Sequence, residues 1–340
     1  MTQAYTTETG HASSAHEPIG SRGRRLLGGW RGPGMWRRGW LLALFAVVLT
    51  GLMFLHAQVP NAVGNLGSLL ETFLPWLGLG VPVLLLFALL RRSATALVAL
   101  VLPTLVWANL FGGLLGTKSS ATGGDLTVAT HNVNAQNPDP EGTAREVAAS
   151  GADVVALEEV TGDAAPTYER ALASTYKYHS LQGTVGVWSK YPLADTRPVD
   201  IRLGWTRALR TTVETPNGQV AVYVAHLPSV RVKFNAGFTA GQRDHSAEQL
   251  GQAIADEKIR KVVLLGDLNG TMNDRALAPI TAQMRSTQGA AGDGFGFSWP
   301  AAFPMARIDQ IMVRGMEPVS SWTLPSTASD HLPIAASVRL

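Results

Sequence analysis

The sequence predicts an α/β layered domain preceded by three membrane-crossing helices, and three observations lead there. Charge is scarce in one place only: of 340 residues 46% are hydrophobic and 16% charged, yet between Gly39 and Gly116 the charged residues are Glu71, Arg91 and Arg92 alone. That stretch holds three apolar runs, each near the roughly 20 residues with which a helix crosses a bilayer. From Thr117 onward, short apolar runs of strand character alternate with amphipathic stretches of helical period, the pattern of an α/β domain.

The elements follow in chain order. Residues 1–38, rich in Gly, Ser, Thr and Arg with few aliphatics before Leu26, read as a disordered basic cytoplasmic tail. Residues 39–116 carry the three transmembrane helices, on the runs Trp40 to Leu55, Phe73 to Leu90 and Ala94 to Leu115. Their interior Pro75, Pro82 and Pro103 are tolerable in membrane helices. A signal peptide accounts for one such run but not for three, and the remaining alternative is a soluble helical core. Six Arg (22, 24, 25, 31, 37 and 38) precede the first run, none lies in the loop Ala57 to Thr72, and Arg91-Arg92 form the next turn. The positive-inside rule then puts the amino terminus in the cytoplasm. Three crossings leave everything after Gly116 outside, in a multi-pass membrane protein. A linker, residues 117–125 around "GTKSSATGG", spans about 30 Å when extended. It holds the outer domain, residues 126–340, near the bilayer.

Charge is divided along the same boundary. Residues 1–117 hold 8 basic and 3 acidic residues, a balance of +5, and residues 118–340 hold 20 and 22, a balance of −2, so the net +3 comes from the amino-terminal part and the outer domain is slightly acidic. Non-specific nucleic-acid binding relies on a basic footprint that this domain lacks, so nucleic acid is not an expected partner. The absence of cysteine excludes disulfides and thiolate chemistry.

The outer domain opens with the strand "LTVATHNVN" (Leu126 to Asn134) and a helix around Thr143 to Ser150. The strand "DVVALEEV" follows, then a helix near Ala164 to Ser174. "RTTVETPNGQVAVYVAHL" reads as a hairpin through Asn217-Gly218. A helix from Gln242 to Ala255, the strand of "VVLLGDLNGT" and a last strand pair, "ARIDQIMV" and "IAASVRL", complete the domain. Asp267 and Asn269, two apart, are expected to project together from a strand's carboxyl end.

Polar residues recur at these strand ends: Asn132, Glu158 and Glu159, His226, Asp267 and Asn269, Asp309, and the "SDHLP" of Ser329 to Pro333. Singly, each has an ordinary reading as a turn amide, a satisfied core histidine, a strand-edge ion pair or a cap. Together, in alternation with apolar strands, they predict one site.

The order "THNVN … ALEEV … VAHLPS … GDLNGT … RIDQIMV … SDHLP" resembles the endonuclease/exonuclease/phosphatase superfamily, the DNase I-like fold, across residues 126–340. The resemblance implies a four-layer α/β sandwich that hydrolyses phosphoesters with Mg²⁺, or Mn²⁺ in its place. It makes Asn132, Glu159 and Asp330 metal-facing residues, and hard Mg²⁺ takes such oxygen donors. Most members carry Gln where this chain has Glu158, and strand alternation favours Glu159 over Glu158 as ligand. The resemblance gives Asp267 the attacking water, Asn269 and His226 the phosphoryl oxygens, and His331, paired with Asp309, the transition-state charge. The tyrosine that many nuclease members place on the phosphate has no counterpart here, and Arg243 is a candidate for the arginine before the fourth motif. Arg231 and Lys233, in "RVKFNAGF", are candidates to clamp a diphosphate.

Three amino-terminal helices before such a domain also resemble the VanJ-type teicoplanin-resistance membrane proteins of actinobacteria. That resemblance implies dephosphorylation of undecaprenyl pyrophosphate, the lipid carrier of cell-wall synthesis, at the outer leaflet, and with it antibiotic resistance. The alternatives are a surface nuclease or phospholipase C-like phosphodiesterase and, in another class, a non-catalytic phospholipid-binding module.

Overall fold

A computed structural model of the chain describes residues 33–61, 65–119, 123–229 and 237–340. Most of the tail assigned to residues 1–38 lies outside these, as do Arg231 and Lys233. The chain forms two units, Met1–Thr50 with Leu79–Thr104, and Gly51–Gly78 with Leu105–Leu340.

The first unit is helical. Its core is small, with Ala46, Ala88, Ala96 and Leu100 buried together, because small side chains let apolar helices approach closely. Ser93 caps the helix Ala94–Ala99 by accepting a hydrogen bond from Ala96 N–H at 3.2 Å. Among the described residues one helix, Ala94–Leu114, is by itself long and apolar enough to cross a membrane: 21 residues rise about 31 Å. Trp40–Phe54, at 15 residues, rises about 22 Å, short of a hydrocarbon core of about 30 Å. The second run forms Leu74–Leu90, which is long enough only together with Leu66–Thr72, from which it is bent by 70°.

The second unit holds all twelve described strands: β1 (Leu126–Asn132), β2 (Val154–Glu158), β3 (Tyr178–Gln182), β4 (Val185–Ser189), β5 (Leu193–Pro198), β6 (Ala208–Thr215), β7 (Gly218–Ala225), β8 (Val262–Asp267), β9 (Arg285–Ser286), β10 (Asp309–Arg314), β11 (Glu317–Thr323) and β12 (Ile334–Arg339). They form two six-stranded sheets, ordered β11-β12-β1-β2-β4-β3 and β5-β6-β7-β8-β10-β9. Residues alternating along β1, β2, β4 and β12 face those of β6, β7, β8 and β10, burying Val128, Val154, Val222, Val263, Leu265 and Ile311 in one core. On the far side of the first sheet, helices Pro140–Ala149 and Ala165–Leu172 bury Val147, Tyr168 and Leu172. Helix Gly237–Ala255 does the same for the second sheet with Ala247, Leu250 and Ile254. Helix, sheet, sheet and helix make the four-layer α/β sandwich expected from the motifs.

Two expectations need correction. The strands of "ARIDQIMV" and "IAASVRL" are not a pair: β10 lies between β8 and β9, whereas β12 lies between β1 and β11 in the other sheet. Adjacency in sequence favours pairing, but here the chain changes sheets between β10 and β11, at Gly315-Met316, and "SDHLP" joins β11 to β12 within the first sheet. The hairpin turns on Pro216-Asn217, with Gly218 already paired to Thr215.

The segment between the first two apolar runs is not a plain loop. It docks on the sandwich together with the start of the second run: Thr271 Oγ1 donates to Glu71 C=O at 3.1 Å and Arg275 Nη1 to Ala57 C=O at 2.5 Å, and Trp76 Nε1, within the run, donates to Met305 C=O at 2.8 Å. The Trp76 ring stacks on Phe297, with centroids 5.8 Å apart.

Candidate active site

The carboxyl ends of β1, β2, β7 and β8 converge, because β1 and β2 run parallel in one sheet and β7 and β8 run parallel in the other. Antiparallel β10 starts at the same place, with Asp309 directly opposite Asp267. A cavity of about 550 Å³ opens there, lined by Asn132, Glu159, His226, Asp267, Asn269, Asp330 and His331 among others. Seven residues singled out in the sequence are thus brought together, and Asp309 sits behind His331.

The backbone explains why these residues stand where they do. Gly266 has φ +142°, and a Cβ there would lie 1.9 Å from Ala225 C=O, so the strand end before Asp267 admits only glycine. Asn134, Glu159 and Asn269 all take left-handed conformations, at φ 62°, 62° and 47°. Asparagine tolerates this, but for Glu159 it costs about 1–2 kcal/mol, a strain typical of functional positions. The turn carries Glu159 out of β2 into the cavity, while Glu158 stays in the strand, fully buried and accepting from Thr130 Oγ1 at 2.7 Å. Burial pushes the Glu158 carboxyl well above the usual carboxylate range.

Polar contacts fix the remaining side chains. Asn132 Nδ2 donates to Asp267 Oδ2 at 3.0 Å and to Glu159 Oε1 at 3.3 Å, and Ala135 N–H donates to Glu159 Oε2 at 2.9 Å. Asn269 reaches Asp267 through its backbone N–H (2.9 Å) and its amide (3.2 Å). Asp330 accepts from Asn134 Nδ2 at 2.9 Å. His226 Nε2 lies 3.6 Å from Glu159 Oε1 and 3.7 Å from Asp267 Oδ2.

His331 Nδ1 faces both Asp309 oxygens, at 2.9 and 3.1 Å, and Ser298 Oγ donates to Asp309 at 2.6 Å. Burial opposes the charge on His331, but Asp309 outweighs it and raises the imidazole to about 10. Burial likewise raises Asp267, to about 7, against the pull of His331. His226 is driven well below the ordinary histidine range by burial, then by Arg207 and His331. At neutral pH one histidine is therefore charged and the other neutral.

The cavity lining is rich in the oxygen donors that a hard divalent cation takes. Asp267, Asp309 and His331 place donor atoms within 4.8 Å of one another, but the imidazole and Asp309 already satisfy each other. Glu159, Asn132 and Asp330 add further oxygen donors to the same lining.

Arg243 does not reach the cavity. Its guanidinium is fully buried, 2.6 Å from Asp274 Oδ2, and donates to Asn269 C=O at 2.9 Å and Ser68 Oγ at 3.1 Å. The cavity contains an arginine that the sequence did not single out, Arg207, just before β6, which lies 5.1 Å over the ring of the exposed Trp205. No motif marks it. His226 N–H donates to Arg207 C=O at 2.8 Å, which places the two side by side. Thr72, from the segment between the apolar runs, lines the same cavity.

Residues 129–331, more than half of the chain, match the endonuclease/exonuclease/phosphatase family. The chain belongs to this family. The family hydrolyses phosphoester bonds, and the seven cavity residues lie within or at the edge of the matched span. No curated protein matches the chain. Solved structures similar to it include beta toxin from Staphylococcus aureus, 17% identical over 62% of this chain and 99% of its own, with a TM-score of 0.50. A humanized D. rerio TDP2 is 18% identical over 63% of this chain and 99% of its own, with a TM-score of 0.53. An endonuclease/exonuclease/phosphatase from Bacteroides vulgatus has the same identity and TM-score, over 63% of this chain and 98% of its own. At such identities the likeness concerns the fold.

Proposed function

We propose that this family member is a Mg²⁺-dependent phosphohydrolase, with Mn²⁺ able to substitute, that dephosphorylates undecaprenyl pyrophosphate at the outer face of a bacterial plasma membrane. In this reading the chain is multi-pass with its amino terminus in the cytoplasm, and its activity underlies resistance to a cell-wall antibiotic. One observation carries the lipid reading: Thr72, the residue before the second apolar run, lines the same cavity as Asp267, Asn269 and His331. A catalytic rim built partly from a segment that leads directly into an apolar helix suits a phosphate that never leaves the bilayer. A freely diffusing substrate needs no such rim.

The chemistry uses the residues in the cavity. Water attacks the terminal phosphorus, the bridging P–O bond breaks, and undecaprenyl phosphate leaves. Asp267, kept basic by burial, takes the water's proton. The charged His331, held by Asp309, stabilises charge on the phosphoryl oxygens, while Asn269, Arg207 and neutral His226 donate to them. Glu159, Asn132 and Asp330 would hold the cation, which when bound neutralises charge on the phosphoryl and leaving oxygens.

A substrate panel tests the proposal: undecaprenyl pyrophosphate, sphingomyelin and plasmid DNA offered to the full-length protein under one set of conditions. Turnover of the pyrophosphate above the other two supports it. Preference for sphingomyelin or DNA would replace it with a phosphodiesterase.

A further inference from the structure

A second cavity, of about 210 Å³, lies beside the catalytic one and shares Thr72 with it. Its apolar lining comes from three parts of the chain: Pro75, then Leu110, Phe111 and Leu114 at the end of helix Ala94–Leu114, then Phe295 and Phe297. Stacked and tilted rings connect these parts, with centroids 5.8 Å apart for Trp76 and Phe297, 5.0 Å for Phe297 and Phe295, and 6.0 Å for Phe295 and Phe111.

The two cavities are made by the same loops. After β8, Asp267 and Asn269 line the catalytic cavity, and Thr271, Met272 and Asn273 line the second. Before β10, Phe295 and Phe297 belong to the second, Ser298 donates to Asp309, and Trp299 belongs to the first.

We infer that this second cavity is a chamber for the phosphate-proximal end of the hydrocarbon chain of the substrate whose phosphate occupies the catalytic cavity, an inference that rests on the lipid reading above. An apolar cavity of roughly 150 Å³ already stays dry and takes up a benzene-sized guest. The chamber is larger, and its wall includes the end of an apolar helix.

Two of the polar side chains in its lining, Arg307 and Gln288, brace the loop that carries Phe295 and Phe297. Arg307 Nη1 donates to Gly296 C=O at 2.7 Å, and Gln288 Nε2 donates to Asp293 and Gly294 C=O at 3.1 and 3.0 Å. Arg307 Nε and the Oε1 atoms of Gln288 and Gln310 keep no partner, so the competing occupant is water or an anion.

The test uses the full-length protein in nanodiscs and a polyprenyl diphosphate carrying a diazirine in its chain. The chamber predicts crosslinks at residues 110–114 and 295–297, displaced by unlabelled polyprenyl diphosphate. Leu114→Trp and Gly289→Leu fill the space from two sides; a Cβ at Gly289 would meet nothing closer than 3.6 Å. Each should lower kcat/KM for the long-chain diphosphate at least about tenfold, the worth of about two excluded methylenes, and for methyl diphosphate less than about twofold. Crosslinks elsewhere, as expected of a water- or anion-filled cavity, overturn the chamber. So does an equal effect of the fillings on both substrates. Crosslinking reads binding without turnover, so a protein labelled at these positions but inactive on every diphosphate keeps the chamber and loses the proposed reaction.

Discussion

His331 and Asp309 form a buried pair, with Nδ1 of the ring 2.9 Å from one carboxylate oxygen and 3.1 Å from the other. Asp309 holds the proton on the imidazole by making the charged ring far cheaper to bury. The folded pKa of His331 is raised, to about 10, so its charge and the stability it brings are fully present below about pH 6.5 and are lost as the pH rises through the folded value. Catalysis should therefore keep its plateau to about pH 9. In Asp309→Asn, where burial is opposed only by Asp267 and Asp330, the alkaline limb of kcat/KM should move down by about two units or more. A variant with an unmoved limb would show that His331 does not act as a cation.

Arg207 is the arginine among the described residues that lines the catalytic cavity, where burial lowers its pKa against the pull of Asp267 and Glu159. Its replacement by Gln removes a charge-assisted contact of about 1.5–3 kcal/mol, so KM should rise roughly 10- to 100-fold with kcat less affected. Steady-state kinetics on a diphosphate checks this, and an unchanged KM would assign the phosphate contacts to other groups.

Arg243 should behave as a structural residue. Arg243→Ala leaves Asp274 buried without its partner, which costs about 3–5 kcal/mol, whereas Ser68→Ala removes one hydrogen bond worth about 1 kcal/mol. Thermal unfolding should show a large drop in Tm for the first and a small one for the second. A normal Tm with a raised KM in Arg243→Ala would return this residue to substrate binding.

Glu257 gives the sandwich an acid-sensitive contact. Burial raises its pKa, but two hydrogen bonds from Arg210, Nε at 2.9 Å and Nη2 at 3.2 Å, outweigh it and hold the carboxyl at about 2. The folded pKa is depressed, so this stability is present above the unfolded value near 4.5 and disappears as pH falls from there toward 2. Glu257→Gln should unfold more easily at pH 7 and show a flatter loss of stability between pH 4.5 and 2, read from urea midpoints.

Much of the site was legible in the sequence because it sits in short strand-end motifs. Asp267, Asn269 and His331 are fixed by local backbone, down to Gly266 and the left-handed Asn269. What failed was long-range. Arg243 and Arg207 are both basic residues near motifs, and only packing sends the first into a buried ion pair and the second into the cavity. Thr72 was invisible for the same reason: a loop between apolar runs carries no sign of the surface on which it docks. The pairing expected for the last two strands missed because an α/β sandwich returns its chain to the first sheet after β10.

The most direct test of the account measures phosphate released from undecaprenyl pyrophosphate by the purified full-length protein, with Mg²⁺ or EDTA, beside Asp267→Ala and His331→Ala. The account predicts release with Mg²⁺ that EDTA abolishes and that each substitution lowers at least about a hundredfold. Release that survives EDTA or both substitutions would contradict it, and silence on every phosphoester offered would leave a phospholipid-binding module in its place.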